Sequence, residues 1–325
     1  MRALVCESWR DFNDLELKDF PAPPMRPGAV RIKIEAVGVS FAVQLVVAGK
    51  YQRKPPLPFV PGTEVAGTVL EGPLPVGTRV FAALDWGGFA EEVVVDAIHV
   101  TPMPDGLPLP PAVAFPISYP TAASALMWRG RVQAGDWVLV HGAAGGVGLA
   151  GVEIVKALGG RVIARAGAAK HALLHARGAE AVLDSAMPFR DQVREITGGA
   201  GVACVLDTLG GDIFDDSLRC LGDGGTLVTV GYAAGGIPVV PANILLLKNI
   251  AVAGLNWGTY LGWSPGDGRE KHAARVRALW DQLMAWWKEG KLHPEVHASF
   301  PLAQFREAMA EVSGRRAAGR VVLVP

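Results

Sequence analysis

Trp137-Val138-Leu139-Val140-His141 is a short apolar strand, and it runs into Gly142-Ala143-Ala144-Gly145-Gly146-Val147-Gly148 before a helical pattern over 147–158. Strand, glycine loop and helix in that order are the fingerprint of a dinucleotide-phosphate site, here with alanine at the loop's first position. Gly145 lets the backbone approach a pyrophosphate, and Gly148 lets the helix pack on the strand. The helix start at Ala144, Gly146 and Val147 offers N–H groups and partial positive charge to phosphates.

Working outward, the same alternation continues. Gly159-Gly160 ends the helix, Arg161-Val162-Ile163-Ala164 is a strand, and Lys170–Arg177 is a helix stopped by Gly178. Ala181–Leu183, Val202–Leu206, Leu227–Val230 and Ile250–Ala253 read as further strands, with helices starting at Gln192 and Ile213. Strands alternating with helices predict a parallel sheet covered on both faces, occupying residues 117–254.

The end of the second strand bears on cofactor choice. A site for the unphosphorylated dinucleotide places Asp or Glu there to bind the ribose hydroxyls. This chain has Ile163-Ala164-Arg165-Ala166-Gly167, with Lys170 close behind. No carboxylate is present, and Arg165 and Lys170 suit a 2′-phosphate, so NADPH is the expected cofactor.

The flanks read differently. Residues 1–116 hold short strands such as Val30–Ile34, alternating apolar and polar, and Glu91–Val95. They are broken by Pro21-Ala22-Pro23-Pro24, Pro55-Pro56-Leu57-Pro58 and Pro108-Leu109-Pro110-Pro111. Residues 255–325 carry a long helical pattern from 269 to 290 whose Val276, Leu279, Trp280, Leu283 and Trp287 read as core packing. A shorter helix follows at Phe305–Val312. The closing Arg320–Val324 reads as a strand returning to the first region's sheet, which makes that domain discontinuous.

A length of 325 residues fits two domains, and 50% hydrophobic against 19% charged residues fits a packed globular fold. Lys and Arg total 31 and balance the 31 Asp and Glu, which removes any global electrostatic case for nucleic acid or an acidic membrane. The basic cluster Arg315-Arg316 with Arg320 has no aromatic platform and reads as solvated surface. The three cysteines, Cys6, Cys204 and Cys220, have neither disulfide-framework nor zinc-ribbon spacing. A start that meets Glu7 and Arg10 too early for a signal peptide, and no apolar run of roughly 18 residues, complete the expectation of a soluble cytoplasmic protein.

Several motifs together resemble a known family. These are Gly49-Lys50-Tyr51-Gln52, Pro56-Leu57-Pro58-Phe59-Val60-Pro61-Gly62-Thr63-Glu64-Val65-Ala66-Gly67, the Gly142–Gly148 loop, Asn243–Asn249 and Gly319–Leu323. Over nearly its whole length the chain resembles the zinc-independent quinone oxidoreductases, zeta-crystallin-like members of the medium-chain dehydrogenase/reductase superfamily. The resemblance implies an α/β protein with a Rossmann doubly wound parallel sheet and a GroES-like β-barrel catalytic domain. That catalytic domain is built from 1–116 and 255–325, with the active site in the cleft. It also implies nicotinamide-side contacts from Thr121, Gly231, Tyr232, Asn256 and Trp257. Arg165, Gly167 and Lys170 stand at the adenosine end. A homodimer joined along the strand near Ile250–Gly254 is implied as well.

Departures sharpen the reading. Thr63 stands where zinc relatives carry His, and Ser40 where they carry a ligand cysteine, so no catalytic zinc is expected. His171 with His175, and His293 with His297, have i, i+4 spacing but no further ligand in sight, and read as surface or core histidines. In Val39-Ser40-Phe41-Ala42-Val43, Ser40 and Val43 replace the Asn and Asp of many zinc-free relatives, which predicts a more apolar cleft. Ser185 stands where relatives often carry a tyrosine beside the adenosine phosphate.

The expected chemistry is hydride delivery from NADPH to a small quinone or similar conjugated carbonyl. Tyr51 is the first candidate donor to the developing oxyanion, with Ser40 and Thr63 behind it. Reduction of an α,β-unsaturated carbonyl or acyl thioester is the enzymatic alternative. A non-enzymatic NADPH-binding structural or RNA-binding role is the alternative of another class.

Overall fold

The computed structural model describes residues 1–263 and 268–325. The chain divides into two compact units: Met1–Ile117, Gly258–His272 and Pro294–Pro325 in one, Ser118–Trp257 and Ala273–His293 in the other. The helix Arg269–Lys288 is thus divided between them at Ala273, where the sequence alone assigned all of 255–325 to the returning segment.

The second unit is built on six parallel strands. Their order is Ala181–Asp184, Arg161–Ala166, Trp137–His141, Val202–Asp207, Leu221–Thr229, Ala251–Gly254. The chain moves outward in one direction for three strands, then returns to the centre and moves outward in the other. Right-handed crossovers therefore place helices on opposite faces of the two halves, as the alternation predicts. Val138, Leu139 and Val140 are fully buried, as a central strand covered on both faces requires. One face packs Leu139, Ile163, Phe189, Val193, Val205, Phe214 and Leu218 into a single apolar cluster. The strand read as Leu227–Val230 begins earlier, at Leu221, because Val202 and Leu221 already pair before a bulge.

In the first unit the strand expected at Val30–Ile34 runs from Ala29 to Val39, since Ala36 to Val39 are also buried. It pairs antiparallel with Glu64–Glu71, and separately with Glu92–Asp96 and with Arg320–Val324. Bulges between Arg31/Ile32 and Ile34/Ala36 bend it. Val321 pairs with Val39 and Leu323 with Val37, so the chain's last strand does return to the sheet begun near residue 29. A core of aliphatic and phenylalanine side chains from both chain ends fills this unit, Phe12, Phe89 and Phe305 meeting edge-on among them.

Two local readings change. In the helix Arg269–Lys288 the buried positions are Leu279, Leu283 and Trp286, while Trp280 and Trp287 are only half-buried. The i, i+4, i+7 stripe falls one residue away from the second expected tryptophan. Arg320, read as part of a solvated cluster, is 8% exposed and forms an ion pair with Glu64, which is 1% exposed. Among the described residues no helix is long and apolar enough to cross a membrane.

Candidate functional site

The phosphate loop sits where strand order reverses, between Trp137–His141 and Val202–Asp207, the position at which such sheets bind ligands beyond their carboxyl ends. Gly142 turns the chain with φ 60°, a left-handed value that suits glycine, and a side chain there would meet Thr208 Oγ1 at 2.5 Å. Gly145 caps the helix Gly146–Ala157, its N–H donating to Gly142 O at 2.9 Å and its carbonyl accepting from Leu149 N at 2.8 Å. The first-turn N–H groups that follow have no carbonyl within the helix to bond, which leaves them for an anion. Gly148 lies so close to Gly142 O that an added Cβ would overlap it, and Gly151 abuts Leu206. Gly145, by contrast, has only Gly142 O within reach, at 3.3 Å. The loop is therefore crowded on the protein side and open at Gly145, a fit for a dinucleotide's diphosphate.

A second loop, outside the sequence motifs, completes this end of the sheet. Asp207 is fully buried and its Oδ1 accepts from Leu209 N at 2.9 Å and Gly210 N at 3.0 Å. Burial raises its pKa, against the lowering effect of those two bonds. Thr208 Oγ1 donates to His141 O at 3.0 Å, tying this loop to the phosphate loop. Ala233 N and Ala234 N donate to Thr208 O and Leu209 O, which brings Gly231 and Tyr232 alongside; Tyr232 is 39% exposed. The signal was present in Asp207-Thr208-Leu209-Gly210-Gly211, a polar, glycine-ended run directly after an apolar strand. Thr121 is 7% exposed on the helix Ser118–Ala123, Trp257 is buried beside Trp128, and Asn256 is exposed.

At the adenosine end the outcome differs from expectation. Strand alternation places Arg165 on the same face as Ile163, inside the unit, and it is 7% exposed. Its guanidinium donates to Ser185 O at 2.6 Å and Met187 O at 3.2 Å and lies 4.6 Å from the Phe189 ring centre. Burial lowers its pKa, and Asp184 opposes that shift. Lys170 follows the turn begun at Gly167 and is half-buried, with its pKa lowered by desolvation. Ser185 Oγ lies 3.9 Å from where a Cβ on Gly167 would stand. Gly167, Lys170 and Ser185 thus edge one turn, with Arg165 behind it.

In the first unit Ser40 begins the helix Phe41–Val47 without using its hydroxyl as a cap, and it is half-buried. Thr63 immediately precedes the strand Glu64–Glu71; the pairing of Val37 with Val65 sets Ser40 and Thr63 beyond the same end of the two strands. Tyr51 lies just after the helix that Ser40 begins. Burial raises its phenol pKa, which a hydrogen bond with Gln52 partly offsets. Val43 is 2% exposed and belongs to the apolar core of this unit, so it does not make the cleft more apolar as expected.

Among the described residues no group of three or more His, Cys, Asp or Glu is placed to hold a metal. His171 Nε2 faces Ala166 O at 3.1 Å and His175 Nδ1 faces Ala179 O at 3.2 Å. His293 and His297 do not share a helix: His293 is in a loop and His297 in the strand Val296–Pro301, beside Glu311.

The Alcohol dehydrogenase GroES-like domain family matches residues 26–105 and the Zinc-binding dehydrogenase family matches 146–270. Quinone oxidoreductase-like protein 2 of Rattus norvegicus is 36% identical over 330 residues, covering 99% of this chain and 91% of the relative. The quinone oxidoreductase of Thermus thermophilus, solved also in complex with NADPH, is 33% identical with TM-score 0.83 and full coverage of both chains, 100% each. A mycobacterial protein solved in complex with NADPH is 34% identical with TM-score 0.88, again covering 100% of both. The chain belongs to the zinc-independent, quinone oxidoreductase-like family of the medium-chain dehydrogenase/reductase superfamily.

Proposed function

We propose that this protein is an NADPH-linked reductase that delivers hydride to a quinone or a similar small conjugated carbonyl. The observation that carries the reading is the Gly142–Gly148 loop at the switch point of the parallel sheet, crowded by its own backbone and open at Gly145. Two solved relatives of more than 30% identity hold NADPH. The bound nicotinamide supplies the hydride. The residues around it orient the ring: Thr121, Gly231, Tyr232, Asn256 and Trp257. Ala144, Gly145, Gly146 and Val147 hold the diphosphate, and Gly167 and Lys170 hold the 2′-phosphate.

The oxygen that gains charge needs a donor. The Tyr51 phenol is protonated at neutral pH, as an ordinary tyrosine is, and burial moves its pKa further up, so it can donate. Ser40 and Thr63 are the remaining candidates. Tyr51→Phe is expected to lower kcat by about tenfold or more with the NADPH KM unchanged. Unchanged turnover removes the phenol from the chemistry.

The partner proposed is a second copy of the chain, in the cytoplasm, with no role for nucleic acid. Ala251–Gly254 is an edge strand, and the helix Ala242–Lys248 before it buries none of its residues, leaving Leu246 79% and Leu247 75% exposed. Pairing of such edges covers both features. Assays following NADPH at 340 nm with 1,2-naphthoquinone, 9,10-phenanthrenequinone and a crotonyl thioester test the substrate class. Faster turnover of the thioester than of either quinone overturns it.

A further inference from the structure

Arg165 is a feature of the adenosine end that its expected role leaves unexplained. A cation meant to grip a phosphate should present its guanidinium to solvent. This one is 7% exposed, lies against the Phe189 ring and donates to Ser185 O and Met187 O. Those carbonyls belong to the segment that leaves the edge strand Ala181–Asp184. Ser185 N also donates to Ala166 O at 3.0 Å, and Ala186 N to Asp184 Oδ1 at 2.9 Å. The segment is therefore fastened to the neighbouring strand by one backbone bond and by the two bonds that Arg165 Nη2 donates. Ser185 Oγ in turn faces Gly167, at the turn leading to Lys170.

We propose that Arg165 is a positioning residue for cofactor selection: it clamps Ser185–Met187 against the turn Gly167–Lys170 and thereby shapes the pocket that receives the 2′-phosphate. Lys170 supplies the charge and Ser185 a hydroxyl; Arg165 acts through the segment. This rests on the NADPH reading above. Both bonds leave one nitrogen, Nη2, while the guanidinium lies over the Phe189 ring; an ammonium has no flat face to keep that ring contact as it donates to the two carbonyls.

The test compares Arg165→Met, Arg165→Lys and Lys170→Ala by hydrogen exchange of residues 185–189 in the cofactor-free protein, and by NADPH and NADH affinities across ionic strength. Arg165→Met and Arg165→Lys are expected to speed exchange in 185–189 without any nucleotide, and to lower the NADPH-to-NADH affinity ratio about tenfold. Residual NADPH binding keeps its salt dependence, because Lys170 remains. Lys170→Ala is expected to collapse both the ratio and the salt dependence while leaving exchange in 185–189 unchanged. Retention of the ratio in Arg165→Lys, or loss of salt dependence in Arg165→Met with exchange unchanged, shows direct phosphate contact and overturns the proposal. An unchanged ratio in both Arg165 variants overturns it as well. If the unmodified protein prefers NADH, the NADPH reading fails, and the exchange data still report separately whether Arg165 clamps the segment.

Discussion

At the scale of single residues, a buried ion pair and a buried histidine carry consequences for stability. Glu64 and Arg320 are almost inaccessible and form an ion pair against Gly38, where any Cβ would lie 2.5 Å from both. Burial lowers the Arg320 pKa to about 10. Removing one partner strands the other charge in the core, so Glu64→Gln is expected to cost about 3–5 kcal/mol in urea unfolding. Glu64→Gln with Arg320→Met should cost less than the sum of the two single changes, and a double-mutant cycle checks this. His141 ends the central strand, fully buried, with Nε2 2.8 Å from Ser217 Oγ. Desolvation first, and Arg165 second, lower its pKa from 6.5 to about 3. The folded protein therefore keeps it neutral while the unfolded chain takes up a proton below 6.5. Stability should fall as pH drops from 6.5 toward about 3, at up to about 1.4 kcal/mol per pH unit from this group. His141→Asn should flatten that slope, which unfolding free energies at pH 7, 6, 5 and 4 measure.

At the scale of elements, the loop and helix Gly142–Ala157 separate folding from binding within a few residues. Gly148→Ala should cost about 1–3 kcal/mol of stability, because its methyl overlaps Gly142 O. Gly145→Ala should fold normally yet bind NADPH about tenfold more weakly, since the space it fills is where the diphosphate approaches. Thermal melts with and without nucleotide distinguish the two. The same helix carries Glu153, 2% exposed, which accepts from Tyr119 OH at 2.7 Å and His293 N at 2.8 Å and so fixes the helix Ser118–Ala123 that bears Thr121. The strand Trp137–His141 and its loop were legible because glycine spacing and an apolar run encode local geometry directly. The contacts of Arg165 were not legible because sequence gives a residue's place along a strand but not what fills the face beneath it. Phe189, 24 residues on, does that. The Glu64–Arg320 pair was invisible for the same reason, since its partners are joined only by pairing of the strand Ala29–Val39 with both chain segments.

At the scale of the whole molecule, the chain's two ends build one sheet and its middle builds the other, as the switch from broken strands to strand–helix alternation indicates. The exposed leucines beside the edge strand predict association: Leu246→Asp with Leu247→Asp should convert a dimer to a monomer in sedimentation velocity with NADPH binding retained. The most direct test of the whole account is the rate of absorbance loss at 340 nm when purified protein meets 9,10-phenanthrenequinone with either reduced nucleotide. Quinone-dependent oxidation of NADPH that far exceeds that of NADH is the predicted result. Equal rates with the two nucleotides, or no oxidation and no binding of either, would contradict it.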